Sequence, residues 1–245
     1  MIVLFTDFGF NGPYVGQMKS VVATDAPGCT VIDLMHDAPG FNIQASAYLL
    51  ASLISEFPDD AIFLCVVDPG VGGQRKPVVL KVGGRWFVGP DNGLFNVILM
   101  HAKNHQEIKS WIIDWKPARL SASFHGRDLF APVAAMLEKG QPVPGELTEL
   151  EALQADWPSD LNQIIYIDDF GNAMTGIRGD VLTLSQTIIV NGHQFGWART
   201  FSDVNLGEGF WTVNSNGLVE IAANQGSARA LFELEVGGKI SIVVH

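Results

Sequence analysis

Two short segments in the first half of the sequence carry side chains that could activate a nucleophile. Asp68 follows a five-residue apolar run and precedes a Pro-Gly turn, which would hold its carboxylate at a strand end. Arg75 lies seven residues further on, past a Gly-Gly pair that could fold its guanidinium back toward Asp68. His125 precedes a glycine and a predicted helix start, where a neutral imidazole can exchange one hydrogen bond. Together these groups could polarise a water molecule. Taken singly, Asp68 could instead cap its turn, Arg75 could be an exposed loop residue and His125 could cap the helix.

Two polar clusters in the second half could bind a ligand. Segment 168–172, Asp-Asp-Phe-Gly-Asn, ends a predicted strand with carboxylates, an aromatic ring and an amide. Segment 214–217, Asn-Ser-Asn-Gly, is followed by Glu220 and Asn224. Because Asn-Gly and Asp-rich segments commonly form turns, each cluster taken alone favours turn chemistry over ligand binding.

Two further motifs, a kinase-like tripeptide and a histidine pair, support a specific chemistry only weakly. Segments 7–9 and 169–171 both spell the Asp-Phe-Gly metal-binding tripeptide of kinases, but no glycine-rich phosphate loop or catalytic His-Arg-Asp accompanies them. His101 and His105 have the spacing of helical zinc ligands, yet no glutamate lies between them and no third ligand is evident. The sequence therefore predicts chemistry without a metal.

Strand-like and helix-like segments alternate through about residue 140 and must position these side chains. The predicted strands are 2–5, 31–34, 62–67 and 78–82, and the predicted helices are 14–25, 42–56 and 127–139. This alternation predicts an α/β sandwich with a largely parallel sheet. Since ligands bind beyond the carboxyl ends of such strands, the loops that begin at Thr6 and Asp68 fall at the expected edge.

Composition changes at the Gly-Pro-rich segment 140–145, which is followed by an acidic stretch to residue 160 and is interpreted as a linker. Beyond it the helical period disappears. Short apolar segments at 164–167, 187–190, 218–222 and 240–244 alternate with Asn-Gly and glycine-rich turns. This pattern predicts a small antiparallel barrel or sandwich. Of the two we favour the β-barrel, so that an α/β domain spans 1–145 and a barrel domain spans 156–245.

Composition excludes several classes of protein. A formal net charge of −11 opposes binding to nucleic acid, and no apolar run approaches the roughly 20 residues that a membrane helix needs. No secretory signal is readable at the amino terminus, so the cytoplasm is the expected location. The two cysteines, Cys29 and Cys65, are expected to be reduced core residues rather than a disulfide.

In combination, the segments resemble the S-adenosylmethionine (SAM) hydroxide adenosyltransferases, a family that also includes fluorinating and chlorinating enzymes. The resemblance runs in order through nearly the whole chain. It rests on segments 6–9, 14–19, 67–72, Arg75, 89–94, 124–132, Asp168 with 170–172, 214–218, 220–222 and Asn224. The resemblance implies an α/β amino domain, a β carboxy domain, and a homotrimer that binds the nucleoside between one subunit's amino domain and its neighbour's carboxy domain.

The resemblance also implies a reaction: hydrolysis of SAM to adenosine and methionine, with no cofactor. Asp68, Arg75 and His125 match the positions that hold the water attacking C5′ of the ribose in hydrolytic members. The remaining implied contacts are Asp7 with the ribose hydroxyls, Asn172 and Phe170 with adenine, Asp168 and Ser215 toward methionine, and Glu220 and the backbone near Ala223 with adenosine. Segment 11–13, Asn-Gly-Pro, departs from relatives that often have an acidic residue there, which puts the polarity of that loop in doubt.

Three alternatives stay open. A halide-using transferase of the same family would form a 5′-halo-5′-deoxyadenosine, although halogenases usually lack the Arg-His pair. A non-catalytic SAM or adenosine sensor would bind ligand without forming product. A methyltransferase is suggested only by the glycine loop at 67–73, which follows a later strand than expected and contains a proline.

Overall fold

The computed structural model describes residues 1–102, 107–149 and 156–244. The chain divides into two compact units, the first formed by Met1–Ala47 and Ile54–Ala155, the second by Tyr48–Leu53 and Asp156–His245. No helix of the described residues combines the length and the apolar character that crossing a bilayer requires.

Strands and helices alternate along the first part of the chain. The strands are β1 (Ile2–Thr6), β2 (Val31–Met35), β3 (Ile62–Val66), β4 (Pro77–Val82), β5 (Arg85–Pro90), β6 (Ile108–Ile113) and β7 (Gly145–Thr148). The helices are α1 (Tyr14–Asp25), α2 (Ile43–Leu53), α3 (Asn96–Ala102) and α4 (Ala131–Glu138), and a π-helical turn at Gly126–Phe130 leads into α4. All the strands and helices predicted for this part are present, whereas β5, β6, β7 and α3 were not predicted.

The large sheet is half parallel and half antiparallel. Its order is β2-β1-β3-β5-β4-β6-β7 within the described part of the chain. Strands β2, β1, β3 and β5 are parallel neighbours, and β4, β6 and β7 add antiparallel pairs. The prediction of a largely parallel sheet is therefore correct for one half only. The reason is the tight Gly83-Gly84 turn between β4 and β5, which allows a hairpin but is too short for a parallel crossover.

The linker interpretation of segment 140–145 also needs correction. β7 begins at Gly145 and pairs with β6, so the segment ends inside the large sheet. A side chain at Gly145 would place its Cβ 2.2 Å from the carbonyl oxygen of Ile112, which explains why a glycine begins this strand. Part of the acidic stretch that follows lies outside the described residues.

The core beside the parallel strands is apolar and positions their carboxyl ends. Leu4 of β1 and Leu64 of β3 are buried against Met18 of α1 and Phe130 at the start of α4. Met18 is four residues from the buried Val22, the spacing that places two side chains on one helix face. The ends of β1 and β3, where Asp7 and Asp68 follow, are thereby held by packing on a helical layer.

The second unit is antiparallel, as predicted. Its strands are β8 (Leu161–Ile167), β9 (Ala173–Arg178), β10 (Thr187–Val190), β11 (His193–Phe195), β12 (Gly209–Val213), β13 (Leu218–Ala223) and β14 (Ser241–Val243), with a short helix α5 (Ala228–Leu231). Between residues 156 and 244 the ladders form two sheets, ordered β12-β13-β9-β8 and β11-β10-β14, around a shared apolar core. The antiparallel character is confirmed, and the closed barrel stays a prediction.

Candidate active site

Asp68, Arg75 and His125 form one hydrogen-bonded cluster. Arg75 Nε lies 3.0 Å from Oδ1 and 2.9 Å from Oδ2 of Asp68, and Arg75 Nη2 also donates to Oδ2. The same Nη2 lies 2.8 Å from Nδ1 of His125. The side chains of Asp68 and Arg75 are only 4% and 10% exposed, so their charges interact with little screening by solvent. The predicted proximity of these three residues is therefore present in the structure.

Gly72 brings the Asp68–Arg75 loop against the segment before His125. It adopts φ +78°, a conformation that glycine permits at no steric cost. A Cβ at this position would lie 2.5 Å from the carbonyl oxygen of Ala122, so any larger residue would force the two loops apart. A glycine in the loop is thus what allows Arg75 to reach His125.

The Gly-Pro-Asp-Asn-Gly-Leu segment 89–94 holds the same loop from the other side. The Asn92 amide donates to the carbonyl oxygen of Val67 at 2.9 Å, directly before Asp68. The backbone N–H of Asp91 donates to the carbonyl oxygen of Lys76 at 2.8 Å, directly after Arg75. Both ends of the Asp68–Arg75 loop are therefore tied to the end of β5, a role that the sequence pattern did not reveal.

Contact with Arg75 determines the tautomer of His125. A guanidinium has only donors, so Nδ1 of His125 accepts the hydrogen bond and a neutral ring carries its proton on Nε2. Burial, reinforced by the positive charge of Arg75, lowers the pKa of His125 below its ordinary value of 6.5, against the opposing charges of Asp68 and Asp128. The ring is therefore neutral at pH 7 and presents an N–H donor rather than a basic nitrogen.

A small cavity of about 220 Å³ lies beside the cluster. Asp68 and His125 line it together with three aromatic rings, those of Phe8, Tyr14 and Phe124, whose centroids are 5.2–5.8 Å apart. Typical small-molecule pockets occupy about 300–1,000 Å³, so this cavity suits a reacting group with a water molecule rather than a whole nucleoside. It combines an apolar wall with one strongly polar side.

Asp7 follows β1 as predicted, beside the β3 end that carries Asp68. Its Oδ2 accepts a hydrogen bond of 3.4 Å from the backbone N–H of Phe41. Burial raises the pKa of Asp7, an effect that the Phe41 N–H opposes and the charge of Asp68 reinforces. Phe41 itself is 83% exposed and has φ +60°, an unusual conformation that sequence reasoning did not single out.

In the second unit, a single wide groove of about 1180 Å³ gathers the predicted ligand residues of that half. The residues that line it and were predicted are Asp168, Phe170, Asn172, Ser215, Glu220 and Ala223. Phe201 also lines the groove and was missed, because it lies in a Thr-Phe-Ser-Asp turn whose only signal is a large aromatic residue at a turn. Two sequence segments that looked like ordinary turns thus form one surface.

Within that groove, Asp168 acts as the cap of its own turn. Its carboxylate accepts from the backbone N–H groups of Phe170 at 3.0 Å and Asn172 at 2.8 Å, and from the Asn172 amide at 3.0 Å. Segment 168–172 therefore forms the turn that its sequence favours. In this turn the Phe170 side chain points outward and is 80% exposed. Asp168 therefore shapes the groove whether or not it contacts a ligand.

Glu220 is a buried carboxyl group in the floor of the groove. It is 7% exposed and accepts from the Asn214 amide at 3.1 Å. Burial raises the pKa of Glu220, and the nearby negative charge of Asp168 raises it further, while the Asn214 amide opposes both. The groove consequently offers acceptors for the N–H and O–H groups of a ligand.

Among the described residues, no group of three or more His, Cys, Asp or Glu could hold a metal ion. His105, half of the histidine pair considered from the sequence, lies outside those residues. Cys29 and Cys65 are both free thiols. The expected absence of a metal in the reaction stays a prediction.

A mixed α/β sheet with a carboxylate, a guanidinium and an imidazole beyond its strand ends is the arrangement of an α/β enzyme. Residues 2–146 match the model of the SAM hydroxide adenosyltransferase N-terminal domain, and residues 162–241 match that of the C-terminal domain. The chain therefore belongs to the SAM hydroxide adenosyltransferase family.

Relatives include proteins of both branches of this family. An (R)-S-adenosyl-L-methionine hydrolase of Thermus thermophilus is 36% identical over 99% of both chains. A fluorinase of Actinopolyspora mzabensis is 23% identical, covering 99% of this chain and 96% of its own. The crystal structure of an uncharacterized conserved protein from Thermotoga maritima superposes with a TM-score of 0.88 at 32% identity, over 99% of each chain.

Proposed function

We propose that this protein hydrolyses S-adenosyl-L-methionine to adenosine and L-methionine. The observation that carries the proposal is the Asp68–Arg75–His125 cluster beside a cavity large enough for water and a reacting carbon. The 36% identity to an (R)-S-adenosyl-L-methionine hydrolase supports it, because the match extends over nearly the whole of both chains. The more distant match to a fluorinase makes the halide-using reaction the less favoured alternative.

In the proposed reaction, a water oxygen attacks C5′ of the ribose while the bond from C5′ to sulfur breaks. The electron pair of that bond passes to sulfur, so methionine leaves as a neutral thioether and no general acid is needed. The catalytic requirement is therefore concentrated on the nucleophile, whose proton must be removed. Orientation of the water in line with the breaking bond contributes further, since a bound nucleophile acts at a high effective concentration.

The proposed roles of the three residues follow from their hydrogen bonds. Asp68 accepts the proton of the attacking water, since Nδ1 of His125 is occupied by Arg75. Arg75 stabilises the hydroxide character that develops on the oxygen, and its two hydrogen bonds hold the Asp68 carboxylate in place. The Nε2–H of His125 orients the attacking oxygen as a donor.

We propose that the nucleoside is recognised mainly by the groove of the second unit. The small cavity takes only the reacting end, whereas the wide groove exposes Phe170 for stacking and is lined by Asn172, which takes the adenine edge. Asp7 takes the ribose hydroxyls, Glu220 and the backbone near Ala223 contact adenosine, and Asp168 and Ser215 lie toward methionine. No metal or cofactor takes part.

We further propose a homotrimer in which each nucleoside is bound by the amino domain of one subunit and the carboxy domain of its neighbour, with the carboxy domain a closed barrel. Family resemblance supports this assembly, as does the separation of function between a cavity too small for a nucleoside and a groove without the triad. A cytoplasmic location belongs to the same proposal, and the two free thiols agree with that location.

Product analysis in labelled water tests the reaction. Purified protein is incubated with SAM in water enriched in heavy oxygen, with and without chloride, and a His125→Ala preparation controls for contaminating enzymes. We expect adenosine that carries the label, unlabelled methionine, and no dependence on chloride. A 5′-chloro nucleoside would assign the chain to the halogenase branch, S-adenosylhomocysteine would indicate methyl transfer, and bound but intact SAM would indicate a sensor.

A further inference from the structure

His36 is a fully buried histidine that the proposed mechanism does not use. Its Nδ1 lies 2.8 Å from Oγ1 of Thr6, and its Nε2 lies 3.1 Å from Oδ1 of Asp33. The other oxygen of Asp33 accepts from Nζ of Lys19 at 2.8 Å. A continuous polar chain therefore runs from Lys19 on α1 to Thr6, the last residue of β1.

The donors and acceptors of this side-chain network can be assigned from their chemistry. Oγ1 of Thr6 accepts from the backbone N–H of Phe8 at 3.4 Å. The Asp33 carboxylate can only accept, so Nε2 of His36 donates to it, and Nδ1 of a neutral ring then accepts the hydroxyl proton of Thr6. Because Thr6 and His36 are both 0% exposed, water cannot replace either bond, and losing one would leave a buried group unpaired.

Backbone hydrogen bonds from the His36 segment also hold the loop that follows β1 and contains Asp7. The N–H of Gly9 donates to the carbonyl oxygen of His36 at 2.6 Å, and the N–H of Ala38 donates to that of Thr6 at 3.1 Å. The residues on either side of Asp7 are thus held by His36 and its neighbours. The Asp7 carboxylate accepts from backbone N–H groups, that of Phe41 at 3.4 Å and its own, so its position depends on this fastened backbone.

We propose that His36 is a positioning residue that holds the Asp7 carboxylate in place for the ribose hydroxyls of the substrate. The inference rests on the proposed function for the role of Asp7, and on the structure for the connection between the two residues. Neither Thr6 nor His36 touches the ligand in this scheme. Their contribution is to keep one carboxylate in the orientation that accepts two hydroxyl protons.

Discrimination between ribose and deoxyribose tests the connection. Binding of adenosine and of 2′-deoxyadenosine to the full-length protein is measured by calorimetry, and SAM turnover is measured in parallel. We expect the wild type to bind adenosine more tightly by about tenfold or more, the size of one hydrogen bond to a charged group. Asp7→Asn defines the loss of preference that follows when the carboxylate itself is removed.

Two substitutions at His36 separate its two bonds. Asn places an amide oxygen near the position of Nδ1 and can still accept from Thr6, whereas Gln reaches toward Asp33 and leaves Thr6 unpaired. We expect His36→Gln to reduce the ribose preference to that of Asp7→Asn, and His36→Asn to retain most of it. A purely structural role would lower stability in both variants without separating their preferences.

Thr6→Val removes only the hydroxyl and keeps the buried volume. Thr175→Val is its matched control, because Thr175 is equally buried, donates to the carbonyl oxygen of Val219 at 2.8 Å and accepts from the N–H of Ile177 at 3.2 Å. We expect Thr6→Val to lose the preference and Thr175→Val to keep it, with similar melting temperatures.

The outcomes separate this inference from the proposed function. If the wild type forms no adenosine from SAM, yet the preference for ribose is lost in Thr6→Val, the positioning role stands and the hydrolase proposal fails. If the wild type hydrolyses SAM while Thr6→Val and His36→Gln keep the full preference of the wild type, the positioning role is overturned and the hydrolase proposal stands.

Discussion

The triad cavity and the groove of the second unit are built from contacts of different range. Arg75 and His125, 50 residues apart in the chain, meet in the first unit, where the charge of Arg75 is paired with that of Asp68. In the groove, Asp168 bonds to residues at most four positions away, and Phe170 stands exposed. A cluster held by distant loops is sensitive to small displacements, whereas a turn with local bonds keeps its shape when a neighbour changes.

This difference assigns separate kinetic roles to the two regions. The mutually bonded ionic groups of the triad have a fixed geometry that can stabilise a developing charge, which affects kcat. In the proposed function, the exposed Phe170 ring and the Asn172 amide contact parts of the substrate that do not react, which would affect binding of ground state and transition state alike. Changes in the cavity should therefore lower kcat, and changes in the groove should raise KM.

Arg75→Lys is expected to have the largest effect. A lysine ammonium cannot donate in one plane to both Asp68 and His125, so kcat for SAM should fall by about 100- to 1000-fold, the usual cost of a lost charge-stabilising donor. Arg178→Lys is the matched control, since Arg178 makes a similar two-pronged pair with Asp160, at 2.9 and 2.7 Å. Steady-state kinetics of both variants check this, and equal losses would contradict a special role for Arg75.

Gly72→Ala tests whether the approach of the two loops matters. Alanine at φ +78° should cost about 1–3 kcal/mol of stability, and its Cβ would push the loop from Ala122, lowering kcat by up to about 100-fold. Gly192→Ala is the control, because Gly192 has φ +81° with nothing within 4 Å of a Cβ. Denaturant unfolding should show a loss in both variants, and kinetics a loss of kcat in Gly72→Ala alone; normal turnover of that variant would refute the loop argument.

Phe170→Ala addresses the groove. Removal of a stacking ring costs about 1–3 kcal/mol for a base, so KM for SAM should rise roughly tenfold or more while kcat changes little. Leu184→Ala provides a control at another exposed apolar residue, 59% exposed, that does not line the groove. A fall in kcat comparable to that of the triad variants would erase the proposed division between the two regions.

The pH dependence of kcat/KM is the smallest expected effect. The pKa of His125 is lowered below 6.5, so the neutral ring that accepts from Arg75 still predominates at pH 6.5 and is lost only at lower pH. Therefore kcat/KM should keep more than half of its plateau value at pH 6.5 and decline below that, since kcat/KM follows the ionisation of the free enzyme. An acid limb centred above pH 6.5, or one that persists unchanged in His125→Gln, would contradict a neutral His125.

Local patterns predicted a helix or strand correctly where the residues of that element carry its periodicity themselves. The helix predicted at 14–25 is α1, Tyr14–Asp25, and the strand predicted at 187–190 is β10, Thr187–Val190. β5 and β6 were missed because their strand character depends on their neighbours: β5 ends in Gly-Pro, and in β6 the adjacent polar residues Lys109 and Ser110 interrupt the alternation. The antiparallel half of the sheet was missed for the same reason.

For the candidate sites, residue type and order along the chain predicted that Asp68, Arg75 and His125 lie near strand and helix ends, where the structure has them. They did not reveal which nitrogen of His125 accepts from Arg75, because that depends on the approach of two loops at Gly72. Nor did they reveal His36, a single histidine in no motif, whose partners Thr6 and Asp33 are found only through the pairing of β1 with β2.

By itself the sequence determined the family, the class of each unit's fold and the chemical groups available, because these follow from residue types and local periodicity. Tertiary structure alone decided the tautomer of His125, the fastening of Asp7 through His36 and the union of two turn segments in one groove. Each of these depends on distances between residues far apart in the chain, and such distances are set by packing of the whole core rather than by any local preference.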